Sequence, residues 1–424
     1  MFKVLHLNTY SLNKNKSFPH LKFHENLLNS GHRSHVISAY GDIRDEGISI
    51  VSSNGEKWNV NRVLRKLLFD FRYGNSTNYF YPEWRLGNVR LSKVLRLLPF
   101  KPDVIMVYWT KFGFNIKLIY ELSKICNAKV LLVPVDMAYL TGGCHFSGGC
   151  MNYIHRCGSC VLLNSKNSRD LSRRSWEVKN GYMANMDVAL LACSSTLYEQ
   201  ANRASLTARM KKYSMLLGVD EDLFFPDNKV EARMNLELPL DKKIVFFGAA
   251  NLRHPRKGMK YLIHALEILK RDNSRSIKDV FLLIAGNGLG DMELPFEFKN
   301  IGYLSTEEQL ASAYKACDVF VCPSIEDSGP LMINQAIMSG RPVVAFNMGV
   351  APDLVLNGIT GYLANCRDSE EFAYGLKSLL ELSSIEWDEY SRNCRDLGLT
   401  KFSKAVNTSQ VNLILKTLLT EEVY

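Results

Sequence analysis

An acidic turn followed by a helix is the feature of this chain best suited to chemistry. The segment Val319–Phe346, VFVCPSIEDSGPLMINQAIMSGRPVVAF, predicts a buried strand, a turn, a helix that ends at Gly340 and a second strand. Asp327 lies in the turn, the first backbone N–H groups of the helix attract anions, and Gln335 follows about two helical turns later on the same side. Such a turn suits a nucleotide sugar, whose diphosphate is flanked by hydroxyl groups, whereas the plainer alternative is an ordinary crossover with a polar turn. The predicted donor-binding residues of this segment are Glu326, Asp327, Ser328, Gly329, Pro330, Leu331 and Gln335.

A basic loop follows an earlier predicted strand. Residues 246–258 read FFGAANLRHPRKG and place Arg253, Arg256 and Lys257 just before a predicted helix. Cations at this position can neutralise the charge that grows on a leaving diphosphate. We therefore predict that all three bind the donor; the alternative is a basic loop without a ligand.

A glycine-rich loop follows the next predicted strand of this half. Its sequence, GNGLG, begins at Gly286 and continues through Gly288. Because glycine lets the backbone approach a ligand closely, both residues are predicted to lie near the donor. The spacing alone is also typical of a plain turn.

Four cysteines are concentrated in a loop of the first half, TGGCHFSGGC…CGSC over residues 141–160. They are Cys144, Cys150, Cys157 and Cys160, separated by five, six and two residues. The closing C-x-x-C pair is of the kind that holds zinc tetrahedrally, with His145 and His155 as spare ligands. We predict a structural zinc here; the alternative is reduced cysteines packed as small apolar groups.

Alternating strand and helix patterns run through both halves of the chain. They predict an α/β protein with two doubly wound parallel sheets, whose ligands bind beyond the carboxyl ends of the strands in a cleft between the two domains. The polar, turn-rich segment near 216–229 suggests the join. We expect one domain over 1–215, a second over 216–402 and a final helix within 403–424. The strands expected are Val4–Leu7, Ser34–Ala39, Val104–Tyr108, Val130–Val133, Val188–Ala192, Ile244–Phe247, Val280–Ile284, Val319–Cys322 and Val343–Phe346, and the helices Leu21–Asn29, Tyr261–Lys270 and Ser403–Thr420.

Length and composition narrow the class of protein. With 424 residues, 46% hydrophobic and 22% charged, the chain fits two globular domains rather than one core. No stretch of about 18 apolar residues predicts a membrane span, and the first residues do not resemble a signal peptide. Ten cysteines without such a signal favour a reducing cytoplasm, where disulfides are rare.

Charge is divided unevenly along the chain. Residues 1–215 hold 30 Lys and Arg against 14 Asp and Glu, whereas residues 216–424 hold 22 against 29. The cations are dense in 62–72 and 85–101, where Leu and Phe alternate with them at helical spacing. This pattern predicts peripheral binding to an anionic inner-membrane surface. A solvated helix face that packs its leucines inward is an equal alternative, and nucleic acid is disfavoured because no recognition module is present.

The acidic turn resembles the motif PS-x-x-E-G-F-G-x-x-x-x-E-A-M-A-x-G of the retaining glycosyltransferases of family 4, which have the GT-B fold. Aligned with PSIEDSGPLMINQAIMSG, it places Asp327 at the first acid and Gln335 at the second. The resemblance implies sugar transfer with retention from a UDP- or GDP-linked donor, Lys257 at the diphosphate, Asp327 on the sugar hydroxyls, and no catalytic metal or other cofactor. It also implies that the first domain binds the acceptor, that the second binds the nucleotide sugar and that the final helix returns to the first domain. It departs from the family at Ala249, where an arginine is usual, so that Arg253 or Arg256 would substitute.

The cysteine loop resembles the D-M-W-x-F-T-G-G-C-H-Y-S-G-G-C…C-G-x-C stretch of a polysaccharide-assembly branch that includes colanic-acid and O-antigen transferases. Asp136 matches the branch and is the third predicted catalytic residue, but Val135 replaces a histidine usual there. The first loop also departs, since Lys14 and Lys16 stand where a glycine pair is usual; they would meet phosphates or be merely solvated.

The branch implies a lipid-linked glycan acceptor and a role in surface polysaccharide, such as lipopolysaccharide O-antigen, capsule or exopolysaccharide. The alternatives are a GT-B protein that has lost catalysis and serves as a scaffold or partner, and a nucleotide-sugar epimerase on the same fold.

Overall fold

The computed structural model describes residues 1–9, 12, 19–43, 45–52, 80, 89–108, 110, 113–271 and 275–420. The chain divides into two compact units. The first comprises Met1–Cys193, Leu197–Met215 and Thr408–Tyr424, and the second comprises Ser194–Thr196 and Leu216–Asn407. Lys14, Lys16 and the predicted interfacial segment 62–72 lie outside the described residues, as do the first four residues of segment 85–101.

The first unit is built on a parallel sheet of seven strands in the order β3-β2-β1-β4-β5-β6-β7. Its central strands are short, mostly apolar runs that are buried, because helices cover both faces of a parallel sheet. The strands are β1 (Lys3–Asn8), β2 (Arg33–Tyr40), β3 (Ile48–Ser52), β4 (Val104–Val107), β5 (Lys129–Leu132), β6 (Val188–Ala192) and β7 (Lys211–Ser214). The helices that begin in this unit or extend into it are α1 (Pro19–Asn29), α2 (Leu91–Leu97), α3 (Ile116–Cys126), α4 (Leu171–Met183) and α5 (Ser195–Arg203).

The second unit is built on a parallel sheet of six strands in the order β10-β9-β8-β11-β12-β13. The strands are β8 (Lys243–Asn251), β9 (Val280–Asn287), β10 (Phe298–Asn300), β11 (Val319–Cys322), β12 (Val343–Phe346) and β13 (Gly361–Ala364). The helices are α6 (Lys229–Asn235), α7 (Met259–Lys270), α8 (Arg275–Lys278), α9 (Glu307–Ala316), α10 (Leu331–Met338), α11 (Ala351–Leu354), α12 (Ser369–Leu380), α13 (Ser384–Phe402) and α14 (Lys404–Thr420), of which α14 continues into the first unit.

The strand order reverses inside both sheets. The point of reversal indicates where each sheet would bind a ligand. In the first unit β1 pairs with β2 on one side and β4 on the other; in the second, β8 pairs with β9 and β11. The predicted fold class of two doubly wound parallel sheets is therefore confirmed. In such sheets ligands bind beyond the carboxyl ends of the strands next to the reversal, which in the second unit are β8 and β11. None of the helices in the described part of the chain is long and apolar enough to cross a membrane.

Candidate functional site

The acidic turn and the basic loop meet in the second unit through an ion pair. Nζ of Lys257 lies 2.7 Å from Oδ2 of Asp327, and both side chains are largely shielded from solvent. Burial alone would raise the pKa of Asp327, but the charge and hydrogen bond of Lys257, followed by the charge of Arg256, outweigh it and lower the pKa. The carboxylate is therefore ionised at neutral pH and fixed beside two cations.

Close backbone packing between the basic loop and the acidic turn positions Lys257 next to Asp327. Gly258 follows Lys257 with φ +73°, and a Cβ there would lie 1.7 Å from the carbonyl oxygen of Pro323. The two loops are also joined by hydrogen bonds from Ile325 N to the Arg256 carbonyl and from Arg256 Nη1 to the Glu326 carbonyl, each 2.8 Å long. Only glycine permits this approach, since it tolerates the left-handed conformation and has no side chain.

The start of α10 provides the polar groups that a ligand would meet. Pro330 is the N-cap of the helix and makes no side-chain cap. Next to it, Ser328 is buried and its Oγ has no hydrogen-bond partner among the described residues. A buried hydroxyl without a partner costs free energy unless a ligand or water satisfies it.

Gln335 lies on α10 with its side chain buried, at 3% exposure. In the part of the chain that the structure describes, its side-chain amide makes no hydrogen bond to protein. The amide is thus available to a ligand hydroxyl, and the donor-binding role of Gln335 stays a prediction.

In the described part of the second unit, Arg253 interacts with the glycine-rich loop and the residue that follows it, and not with the acidic turn. Its Nε donates to the Gly288 carbonyl at 2.9 Å, and Nη2 forms an ion pair with Asp291. Gly286 is the penultimate residue of β9 rather than part of a loop, with φ +141° and its backbone against Ala249. Of the two arginines predicted to substitute at Ala249, Arg256 therefore lies against the acidic turn and Arg253 against the glycine loop.

Asp136 of the first unit is paired within its own loop. Oδ2 lies 2.7 Å from Nδ1 of His145, and Oδ1 accepts a hydrogen bond of 2.7 Å from Ala138 N. Both side chains are buried. The geometry favours Asp136 as a residue that orients His145, a pairing that the sequence did not reveal because nine residues separate the two.

The cysteine loop is ordered by hydrogen bonds. Cys157 Sγ accepts from Gly142 N at 3.2 Å, and Cys160 N donates to Asp170 Oδ2 at 2.7 Å. The Cys144 thiol is hydrogen-bonded to Cys160, which lowers the pKa of Cys160 to about 7 although burial opposes this shift. Among the described residues no three His, Cys, Asp or Glu side chains are arranged to hold a metal, so zinc binding stays a prediction.

Two residues that sequence reasoning missed also support these loops. Lys179 of α4 is fully buried, and its Nζ donates to the carbonyls of Ala138 (2.7 Å) and Thr141 (3.2 Å). Ser194 Oγ donates to the Ser328 carbonyl at 2.7 Å. Neither belongs to a motif, and no signal in the sequence distinguishes them from solvated residues.

Part of the second unit matches a known family. Residues 241–382, which include the basic loop, the glycine loop and the acidic turn, match the family model described as Glycosyl transferases group 1. A D-inositol 3-phosphate glycosyltransferase of Corynebacterium efficiens is 29% identical over 238 residues, 48% of this chain and 55% of that protein. The corresponding protein of Corynebacterium aurimucosum is 32% identical over 180 residues, 39% of this chain and 42% of that protein. The chain thus spans about half the length of the curated relatives it matches.

Solved structures resemble the chain over nearly its whole length. Sucrose-phosphate synthase from Thermosynechococcus elongatus aligns with a TM-score of 0.66 and 16% identity, covering 98% of this chain and 99% of that one. The Anabaena protein HepE in complex with UDP aligns with a TM-score of 0.64 and 14% identity, covering 98% and 100%. At such identities these likenesses establish the fold alone.

Proposed function

We propose that this chain is a retaining glycosyltransferase that moves a sugar from a UDP- or GDP-linked donor to an acceptor. The observation that carries the proposal is the Lys257–Asp327 pair, with Arg256 beside it, at the start of α10. Positive charge beside the backbone N–H groups of a helix N-terminus suits a diphosphate. The match of residues 241–382 to the group 1 family supports it, and so does the UDP-glucose bound to HepE, a protein of the same fold.

In the proposed reaction the bond between the anomeric carbon and the diphosphate oxygen breaks, and a bond to the acceptor oxygen forms on the same face. The acceptor proton passes to the leaving diphosphate. Lys257 and Arg256 stabilise the charge that develops on that leaving group, and Asp327 holds hydroxyls of the donor sugar. Gln335 hydrogen-bonds another hydroxyl of the donor without contributing charge. No step requires a metal.

For the acceptor we propose a lipid-linked oligosaccharide of a surface polysaccharide, such as an O-antigen or capsule, used by a cytoplasmic protein bound peripherally at the inner membrane face. The resemblance of the cysteine loop over 141–160 and the cationic surplus of the first 215 residues support this acceptor. A phosphorylated polyol is a second candidate, because the relatives from Corynebacterium are D-inositol 3-phosphate glycosyltransferases.

We also propose that Cys144, Cys150, Cys157 and Cys160 hold a structural zinc that stabilises this loop. The spacing of the cysteines and the contact between Cys144 and Cys160 support it.

A panel of UDP- and GDP-sugars tests the donor. We expect one of them to bind in a calorimetric titration and to be transferred or slowly hydrolysed, and Lys257→Ala to abolish turnover. Separate reactions with membrane lipid extract and with inositol phosphate distinguish the two acceptors. If a sugar nucleotide binds but is never turned over, the chain is instead a GT-B scaffold that has lost catalysis, a reading that Val135, Ala249 and Gln335 favour; if none binds, the enzyme proposal fails.

A further inference from the structure

The first unit contains a cavity that the donor chemistry does not use. Its volume is about 870 Å³, within the range of small-molecule sites. It is lined by the end of α4, the segment between α5 and β7, and the beginnings of β6 and β7. Substrates of doubly wound sheets bind at the carboxyl ends of the strands. A cavity at the amino ends is therefore a separate site.

Positive charge dominates the lining. Among the described residues, Arg156, Arg203, Arg209 and Lys211 line the cavity together with one carboxylate, that of Asp187. That carboxylate is already paired, since Oδ2 of Asp187 lies 3.5 Å from Nζ of Lys129. Within the described part of the chain no carboxylate forms an ion pair with any of the three arginines. The guanidinium groups of these three arginines therefore give the cavity a positive charge that no carboxylate of the described residues pairs with.

Arg156 is held in place by a hydrogen bond of its backbone N–H and by the ring of Trp176. Arg156 has φ +81°, a conformation that is costly for a residue with a side chain. Its N–H donates to Ser205 Oγ at 3.1 Å, and its guanidinium lies 5.7 Å from the centre of the Trp176 ring. Trp176 Nε1 donates to the same Ser205 Oγ at 3.1 Å. An arginine stacked on a fixed aromatic ring is pre-organised, so less entropy is lost when it binds an anion.

A second wall of the cavity carries an unused polar atom. The Oη of Tyr213 is buried and has no hydrogen-bond partner among the described residues. Tyr213 lies on β7, two residues after Lys211, and the ammonium of Lys211 is 5.2 Å from the centre of its ring. A hydroxyl beside a cation can donate to a phosphate oxygen, which would remove the cost of leaving it unsatisfied.

We propose that this cavity binds the phosphate group of a phosphorylated ligand, either a soluble phosphate or diphosphate compound or the phosphate headgroup of a lipid. The arginines and Tyr213 would bind the phosphate oxygens, and Trp176 and the apolar side chains of the lining would pack on the remainder of the ligand. The proposal does not depend on transferase activity, because none of these residues belongs to the donor site of the second unit.

The test is a calorimetric titration of sodium pyrophosphate into the full chain carrying Lys257→Ala, which weakens phosphate binding at the donor site. In this background Arg203→Gln/Arg209→Gln removes two exposed cations of the cavity. Arg174→Gln is the matched control, because Arg174 is exposed in the same unit and does not line the cavity. We expect the double variant to bind pyrophosphate at least about tenfold more weakly and the control to bind unchanged. Equal melting temperatures of the three proteins exclude unfolding as the cause.

A second arm separates the two sources of phosphate. The same proteins are sedimented with phosphatidylcholine vesicles containing about one-fifth phosphatidic acid, and with phosphatidylcholine alone. Pyrophosphate binding lost in the double variant identifies a soluble ligand. Vesicle binding lost in the double variant, without pyrophosphate binding, identifies a lipid headgroup. If the double variant matches the control in both arms, the proposal is wrong.

Discussion

Lys257 and Asp327, 70 residues apart in the chain, form a 2.7 Å ion pair at the edge of the second sheet. Each neutralises the other in the absence of a ligand. An arriving diphosphate would share the ammonium with the carboxylate, so the pair pre-positions the cation while keeping Asp327 ionised. The relationship predicts that the two side chains act as one unit.

Replacing Lys257 by Met should abolish most of the proposed sugar transfer. Removal of one group that stabilises developing charge typically costs about 10²–10³ in rate. Lys260→Met is the control, since Lys260 is exposed on α7 and lies against Tyr261. Initial rates with the donor identified by the panel give the comparison. Equal rates for Lys257→Met and wild type would show that the pair is only structural.

Gln335→Glu should lower stability without donor and increase the stabilisation that a donor provides. A buried polar group without a partner costs about 1–3 kcal/mol and a charged carboxylate costs more, whereas the hydrogen bonds of a carboxylate to sugar hydroxyls are stronger than those of an amide. The matched control is Asn334→Asp, the same change at the next residue, where the amide donates instead to the Leu217 carbonyl at 3.1 Å.

Melting temperatures with and without UDP- and GDP-sugars measure both effects of these changes. Destabilisation of both variants with a larger donor shift only for Gln335→Glu is the expected pattern. A donor shift that is unchanged in Gln335→Glu would exclude Gln335 from the site.

Gly258→Ala should destabilise the second unit, because the new Cβ would lie 1.7 Å from the Pro323 carbonyl at φ +73°. We expect a loss of about 1–3 kcal/mol in the free energy of unfolding. Gly181→Ala is the contrasting substitution, since Gly181 lies within α4 with no atom within 4 Å of a Cβ. It should be neutral or stabilising by up to about 1 kcal/mol. Urea unfolding of the two variants measures the difference, and equal stabilities would contradict the packing described.

Acid should destabilise the first unit through buried histidines. Burial, followed by the charge of His24, lowers the pKa of His20 to about 3; burial, followed by His35, lowers that of His24 to about 4. Because their pKa is lower in the folded state, the unfolded chain binds more protons below its own pKa near 6.5. Stability is therefore complete above pH 6.5 and falls as the pH drops towards 4, by about 1.4 kcal/mol per pH unit for each histidine.

Urea unfolding at several pH values checks this dependence. His24→Leu should remove one histidine's share of the slope, whereas His264→Gln, at an exposed position, should leave the slope unchanged. A slope that is the same in both variants would rule out His24 as a source.

Metal analysis tests the cysteine loop. We expect about one zinc per purified chain, lost in Cys144→Ser and in Cys160→Ser, with a lower melting temperature of the first unit because metal binding and folding are coupled. Cys366→Ser controls for the loss of a thiol, since Cys366 is exposed and outside the loop. A zinc content well below one ion per chain in the wild-type protein would contradict the prediction.

Strands buried on both faces were readable from the sequence, and the edges of the sheets were not. Val319–Cys322 and Val343–Phe346 have the predicted bounds, because each is an uninterrupted apolar run. Lys211–Ser214 and Phe298–Asn300 are outer strands with exposed, charged residues, and their short patterns do not differ from those of loops.

The candidate site could be predicted from the sequence only where a motif marks it. The spacing from Asp327 to Gln335 identified the turn, and the basic loop identified Lys257. Two other contacts depend on how the loops fold. Asp136 pairs with His145, and Arg253 forms an ion pair with Asp291. The residues that neighbour these side chains in the sequence do not indicate such contacts.

The buried ammonium of Lys179 can serve as an internal reference when the reactivity of lysine side chains is measured by chemical labelling. Its Nζ donates to two carbonyls in the core of the first unit, whereas Nζ of Lys257 is partly exposed. An acylating reagent should modify Lys257 faster than Lys179, which it reaches only when the first unit opens. The ratio of the two labels would then report, from a single mass spectrum, occupancy of the donor site and integrity of the neighbouring unit.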